Sequence, residues 1–272
     1  MRQATYFLSV PHAAGALTPV CHGEWFRQVT EHGEMGNRWQ MKSRLIAVTA
    51  RTGLIDFIYP PRCPGCGRRG TWLCTTCEAD AAARPFQHPW CARCGAEAGR
   101  SPCRCAELPP VLTRLRSALP YEGWVRQSII SLKFHDETAR AGHLGRYLTP
   151  LLAEFTPFDG LVPVPLHPRR QRTRGFNQAR LLAHHAAAGH VAVRDDLLVR
   201  TRPTPHQVGL GAVQRRANVQ GAFAVPEGLD LTGMKLVLVD DVLTTGSTLG
   251  NCAEALATAG AVSVGALTLA RE

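Results

Sequence analysis

The sequence predicts an α/β domain with a mainly parallel sheet, preceded by a small cysteine-rich domain. Three observations carry that expectation. From about residue 113, short apolar runs alternate with stretches of helical periodicity, as in a sheet with crossover helices. Leu236 to Val239 is a continuous apolar run that fits a strand buried on both faces, and it leads into two acids and a hydroxyl-rich turn. Cysteines crowd into residues 63–105 in close pairs.

A chain of 272 residues can form one large domain or one standard domain with attachments, and a hydrophobic fraction of 45% allows a sizeable core. The formal charge is +10, and nearly all the positive residues are Arg. Arg binds phosphates in bidentate fashion, so the excess fits a polyphosphate or nucleic-acid partner. It fits genomic base composition equally well, since Lys is scarce and Ala abundant, so charge alone decides nothing. No apolar run reaches the length needed to cross a bilayer, and the first residues lack the pattern of a secretory signal. The expectation is a cytoplasmic protein with no membrane span.

Residues 1–40 show no sustained period, and little structure is expected there. Met35 and Met41 are alternative starts, and a misassigned start codon would explain the segment; Cys21 receives no role. Over 41–60, Leu45, Ile46, Val48, Leu54, Ile55 and Ile58 suggest an interrupted amphipathic helix, stopped by Pro60 and Pro61. Residues 61–107 hold four cysteine pairs: Cys63/Cys66, Cys74/Cys77, Cys91/Cys94 and Cys103/Cys105. Three are C-x-x-C, with Gly65, Gly67 and Gly95 in the turns that aim two sulfurs at one ion. This spacing fits tetrahedral zinc. Disulfides suit a cytoplasmic chain poorly, and a redox dithiol needs only one pair. Sequential pairing gives two four-cysteine ribbons; a crossed pairing, and a single ion, remain open. The last pair is C-x-C, a tighter chelate than the others. A closed thiolate shell leaves no open position for catalysis, so its role is folding or docking.

In the larger domain, 113–272, a strand is expected over Leu115–Tyr121. Val125, Ile129, Leu132 and Phe134 then recur at helical spacing, with Lys133 at the helix end. A further helix spans Ala139–Phe155, interrupted near Pro150. Leu161–Pro165 reads as a strand entering a stiff turn. Arg169, Arg170, Arg172 and Arg174 follow, ahead of Gly175 at the start of a helix reaching about Ala188. That makes a second anion-friendly turn. Residues 200–220, with Arg215 and Arg216, are polar, basic and turn-rich, as expected of a loop over a site. Strands at Ala222–Val225 and Val262–Leu269 complete the pattern.

The chemistry concentrates at Asp240–Thr248. The carboxylates of Asp240 and Asp241 are acceptors for ribose hydroxyls. The turn Thr244, Thr245, Gly246, Ser247, Thr248 opens a helix whose free N–H groups and positive end favour a phosphate. An ordinary helix cap would account for one hydroxyl, not four together with a glycine and an acid pair.

This segment resembles the phosphoribosyl-pyrophosphate signature of type I phosphoribosyltransferases. With the cysteine-rich start and the strings VPVPLHPRRQRTRGFNQA and LVLVDDVLTTGSTL, the chain from about residue 54 onward resembles the ComF/GntX family of competence-associated phosphoribosyltransferase-like proteins. The chain departs from that family at Gly211, where a Ser usually follows Gly-Leu, at the C-x-C pair, and in the N-terminal extension. The resemblance implies a type I phosphoribosyltransferase-like parallel-sheet domain behind a single or double zinc ribbon. It implies that Asp240, Asp241, Val242, Leu243, Thr244, Thr245, Gly246, Ser247 and Thr248 hold the ribose and its 5′-phosphate. Asp240 and Asp241 would also serve catalysis by stabilising an oxocarbenium-like state. Pro163, Val164, Pro165 and Leu166 would cradle pyrophosphate, with Mg²⁺ bridging substrate oxygens. Structural Zn²⁺, one ion or two, would sit on Cys63, Cys66, Cys74, Cys77, Cys91, Cys94, Cys103 and Cys105.

Two functional classes follow. One is a Mg²⁺-dependent phosphoribosyltransferase acting on a nitrogen acceptor, in natural transformation and DNA uptake or alternatively in nucleotide salvage. The other is a non-catalytic accessory factor binding single-stranded DNA through Arg169, Arg172, Arg174, Arg215 and Arg216, alongside competence or recombination proteins.

Overall fold

The computed structural model describes residues 60–80, 83–99, 103, 105–135, 137–202 and 221–272. The 1–40 segment, the helix expected over 41–60 apart from Pro60, and Arg215 and Arg216 lie outside the described residues. In chain order the elements begin with α1 (Thr75–Glu78), β1 (Leu112–Pro120), α2 (Gly123–Phe134), α3 (Arg140–Gly145) and a 3-10 turn at Thr149–Phe155. Then come β2 (Gly160–Pro163), α4 (Pro168–Arg174), α5 (Gln178–Ala187), β3 (Val199–Arg200) and β4 (Phe223–Ala224). The chain closes with β5 (Lys235–Leu243), α6 (Ser247–Thr258) and β6 (Ser263–Arg271).

The main sheet has the order β1-β6-β5-β2, and all its pairings are parallel. β3 and β4 form a separate antiparallel pair. The apolar run Leu236–Val239 is central because both edges of β5 are taken, by β2 on one side and β6 on the other. Alternation along the strand then feeds two cores. Val237 and Val239 join Leu161, Leu267 and residues of α2, α3 and α5, whereas Leu236 and Leu238 join Val162, Val264 and the buried face of α6.

The cysteine-rich region divides the same way. Cys63, Leu73 and Cys74 belong to the first core, and Cys94, Ala96 and Leu108 to the second. The two ribbons therefore brace opposite faces of one sheet, and residues 55–272 form one compact unit.

Several sequence expectations are corrected by the structure. β5 does not stop before its acids: Asp240, Val242 and Leu243 still pair with Thr268, Ala270 and Arg271. On α2, Val125, Ile129 and Leu132 are buried as expected, but Phe134 is 63% exposed and does not share their face. Ala139–Phe155 is not one helix, because α3 ends at Gly145 and a 3-10 turn opens with Pro150 at its start. The arginines lie on a helix of their own rather than in a turn. His167 caps α4 by accepting from the Arg169 N–H at 3.2 Å, Pro168 supplies the first turn, and Gly175 at φ 81° ends it. The following helix begins only at Gln178, capped by Asn177, which accepts from the Ala179 N–H at 2.9 Å.

The first ribbon is tied to the sheet domain through Arg140, which is buried at the start of α3. Its guanidinium donates to the carbonyls of Trp72 at 3.0 Å and Arg62 at 3.2 Å, pairs with Glu137, and lies 5.0 Å from the Trp72 ring centre. Replacement by Leu leaves those acceptors without their donor. Arg140→Leu is expected to lower stability by about 3 kcal/mol in urea unfolding, with Arg140→Lys recovering part of the loss.

Candidate functional site

A cavity of 520 Å³ lies beyond the carboxyl ends of β5 and β2, the position where open parallel sheets bind ligands. Asp240, Asp241, Val242, Leu243, Thr244, Gly246, Ser247 and Thr248 line it, as do Val164, Pro165, Leu166 and Arg174. Four described candidates lie outside its lining. Pro163 is the last residue of β2 and pairs with Val239. Thr245 is buried under the loop, with its Oγ1 2.8 Å from the Ser247 hydroxyl. Arg169 and Arg172 are exposed on the outer side of α4.

Helical spacing explains the division on α4, since Arg170 and Arg174 are one turn apart and share the cavity side. The turn after β2 is held from behind by Asn177, whose side-chain amide donates to the Val164 carbonyl at 3.0 Å. Gly246, at φ 77°, is the N-cap of α6 and brings no side chain of its own, while the Thr245 hydroxyl accepts from the Ser247 N–H at 3.4 Å. The N-terminal end of α6 therefore opens into the cavity with its dipole available to an anion.

Adjacent residues of a strand point to opposite sides, so the acid pair meets two environments. Asp241, 4% exposed, has its Oδ2 2.8 Å from the Lys133 Nζ on α2. Burial would lower the Lys133 ammonium, but the charges of Asp241 and Asp240 and the contact to Asp241 overcome it and raise it. Asp240 faces the other way, and burial, followed by the neighbouring Asp241 charge, pushes it up to about 7. One carboxylate thus carries a built-in counter-ion while the other stays near neutrality.

The sequence reading noted Lys133 without giving it a role. It also gave none to Arg126, Ile130 and Phe134 on α2, which line the cavity; Arg200, at the start of the loop expected over the site, lines it as well. The helical period placed α2, but nothing local shows that its C-terminal turn meets Asp241.

The eight cysteines form two sets, Cys63/Cys66/Cys74/Cys77 and Cys91/Cys94/Cys103/Cys105, each with its sulfurs within 4.8 Å of one another. The pairing is therefore sequential. Cys66 and Cys74 sulfurs are 3.6 Å apart; in the second set Cys91–Cys105, Cys103–Cys105, Cys94–Cys103 and Cys91–Cys103 are at 3.3, 3.5, 3.6 and 3.8 Å. Tetrahedral zinc with bonds of about 2.3 Å sets its sulfurs about 3.8 Å apart, so both sets fit, the C-x-C pair included. None of the eight is joined in a disulfide. Burial raises Cys63, but N–H groups of Cys74, Cys66 and Gly65 outweigh it and bring the thiol to about 6. At Cys91 the Cys94 N–H leads in lowering the thiol to about 6. Burial first, then neighbouring sulfurs, pushes Cys77 and Cys105 up to about 12. Four thiolates share such a space comfortably only around a cation. Among the described residues no helix is long and apolar enough to cross a membrane.

Fold and site together define a type I phosphoribosyltransferase-like domain behind two four-cysteine ribbons. Comparison with known proteins agrees. The phosphoribosyl transferase domain family matches residues 201–272, and the double zinc ribbon domain family matches residues 54–108. The DNA utilization protein YhgH of Escherichia coli O157:H7 is 35% identical over 213 residues, covering 74% of this chain and 92% of that protein. Competence protein F of Haemophilus influenzae is 35% identical over 115 residues, 42% of this chain and 50% of its own. Competence protein ComFC of Bacillus subtilis is 26% identical over 171 residues, 59% and 65% of the two chains. The chain belongs to the ComF/GntX family.

The acid pair makes two expectations. Folding raises Asp240 from its ordinary 3.8 to about 7, so the fold opposes its ionisation. That cost is absent below the ordinary value, grows as pH rises, and is complete above about pH 7. Asp240→Asn is therefore expected to raise the melting temperature at about pH 8 and to leave it unchanged at about pH 3. Lys133→Met strands Asp241 and is expected to cost about 3 kcal/mol at neutral pH. In a double-mutant cycle, most of that loss disappears when Asp241 is already Asn.

Proposed function

We propose that the cavity binds phosphoribosyl pyrophosphate with Mg²⁺ and that the protein acts as a phosphoribosyltransferase on a nitrogen acceptor, in cytoplasmic DNA uptake and handling. The observation that carries this reading is the meeting, in one cavity, of the acid pair, the open N-terminus of α6 and the turn after β2. In this reading the 5′-phosphate lies on the N–H groups of the Thr244–Thr248 loop, with its hydroxyls as further donors. The ribose hydroxyls donate to Asp240 and Asp241, and Lys133 holds Asp241 in place for them. Val164 to Leu166 border the diphosphate, and the Arg170 and Arg174 guanidiniums meet its charge.

The carboxylates and substrate phosphates form an oxygen-only donor set suited to a hard cation. Mg²⁺ bound with the diphosphate supplies charge neutralisation there. The acceptor nitrogen forms a bond to the anomeric carbon as the bond to the diphosphate oxygen breaks, and the electron pair leaves with the diphosphate. Asp240 and Asp241 stabilise the cationic character at the ribose, while the arginines stabilise the leaving charge. The names of the relatives, a DNA utilization protein and competence proteins, support the biological setting.

A second reading, single-stranded DNA binding, is favoured by a separate observation. α4 carries Arg169, Arg170, Arg172 and Arg174 within seven residues, and the exposed Phe134 ring lies 5.6 Å from the Arg174 guanidinium. Cations beside an exposed aromatic ring suit a phosphate backbone with a stacking base.

Isothermal titration separates the two readings. Phosphoribosyl pyrophosphate with Mg²⁺ should bind, and Asp240→Asn with Asp241→Asn should weaken it at least about tenfold. Absence of heat with the unmodified protein would sink the site assignment. Arg169→Ala with Arg172→Ala should weaken single-stranded DNA in a salt-dependent way and leave the sugar phosphate unaffected.

A further inference from the structure

The second ribbon shares a core with the phosphate loop, and the contacts between them form a short continuous path. Arg93 stands inside the Cys91–Cys94 knuckle. Its guanidinium reaches across to the segment that follows the second knuckle, donating to the carbonyls of Cys105 at 3.3 Å, Leu108 at 3.1 Å and Pro109 at 2.9 Å. The Arg93 carbonyl accepts from the Leu115 N–H of β1 at 2.7 Å, and Arg271 of β6 donates to the Cys94 carbonyl at 2.7 Å. The knuckle is thereby anchored to the sheet, and Cys105 to Pro109 is anchored to the knuckle.

That segment ends under the loop. A Cβ placed on Gly246 would lie 2.8 Å from Leu108 Cδ2, and one on Gly250 would lie 3.0 Å from the Pro109 ring. Leu108 is buried with Leu243 and Leu249, the residues that bracket the loop. Within the loop the Thr245 hydroxyl lies 2.8 Å from the Ser247 hydroxyl and accepts from the Ser247 N–H at 3.4 Å, Asn251 donates to the Ser247 carbonyl at 2.9 Å, and Gly246 adopts φ 77°. The first ribbon is differently placed. It packs on α2 and α3 through Trp124 and Arg140, in the core on the other face.

We propose that the second ribbon is a positioning element of the phosphate loop: closing Cys91, Cys94, Cys103 and Cys105 around a metal fixes Cys105–Pro109, and Leu108 and Pro109 in turn fix Thr244–Thr248. The two ribbons then differ in role. The first braces the fold, whereas the second also sets the geometry of the anion site. Without metal, the Cys91–Cys94 knuckle loses its hold on Cys105, Leu108 withdraws from Gly246, and the N–H groups at the start of α6 lose their common aim. The role assigned to those N–H groups rests on the phosphate reading above, but the mechanical link does not.

The test compares three variants of the full chain by metal content, amide hydrogen exchange of the loop, read at Thr245–Gly250 and above all at the Gly250 N–H, which donates to the Gly246 carbonyl at 2.8 Å, and titration with phosphoribosyl pyrophosphate and Mg²⁺. Cys103 and Cys66 are both exposed, so changing either to Ser removes a ligand without opening the core. Cys103→Ser should lose one zinc, speed loop exchange at least about tenfold and weaken binding by a similar factor, a change of about 1.4 kcal/mol in local opening. Cys66→Ser should lose the other zinc and leave loop exchange unchanged. Leu108→Ala should keep both zincs and still speed loop exchange, which a purely global effect of metal loss would not do. Loop exchange that is unaffected by Cys103→Ser, or affected equally by Cys66→Ser, overturns the proposal. If the unmodified protein shows no binding, the phosphate reading fails, and the exchange data still decide the coupling.

Discussion

The structure depends on the central position of β5 in a parallel sheet. With β2 on one edge and β6 on the other, the register of β5 is fixed, and so is the side to which each residue points. Leu236 to Val239 spend that alternation on two hydrophobic cores. Asp240 and Asp241 continue it, and an acid pair that looks uniform in sequence becomes two different groups. Asp241 falls on the side of α2 and is met by Lys133, while Asp240 falls on the other and resists ionisation. A one-residue slip would exchange the two and place a carboxylate against each wrong core. Register therefore decides which acid meets Lys133 as well as which residues fill each core.

The same division extends to the cysteine-rich region. Each ribbon contributes residues to one face of the sheet, so the ribbons buttress it from both sides. Arg140 on one side and Arg271 on the other supply the polar ties, each ending on ribbon backbone carbonyls. Such ties suit a small metal-held module, whose own apolar core is too slight to stand alone.

Much of this was legible from the residues because the informative signals are local. A strand, two acids and a hydroxyl-rich turn occupy thirteen consecutive positions, Leu236 to Thr248, and cysteine spacing announces a tetrahedral thiolate site directly. Which pairs join is not local, since C-x-x-C repeats are interchangeable in sequence, and only the fold shows sequential closure. Lys133 was visible but mute, because its partner is remote in the chain and the two meet only when α2 packs on β5. Phe134 was misplaced for a related reason: a helical period assigns a face, but the last turn of α2 already borders the cavity. The short helix α4 was missed although its signals were present. Pro168 at the start and Gly175 at the end are the usual punctuation of a helix.

The central claim is that the cavity beyond β5 and β2 is built around a ribose 5-phosphate. The most direct measurement is a crystal structure of the protein with phosphoribosyl pyrophosphate and Mg²⁺. The account predicts the 5′-phosphate on the N–H groups of Thr245–Thr248, the ribose hydroxyls on Asp240 and Asp241, and the diphosphate toward Val164–Leu166. A ligand held only by the arginines on the outer side of α4, with the Thr244–Thr248 loop uncontacted, would contradict it.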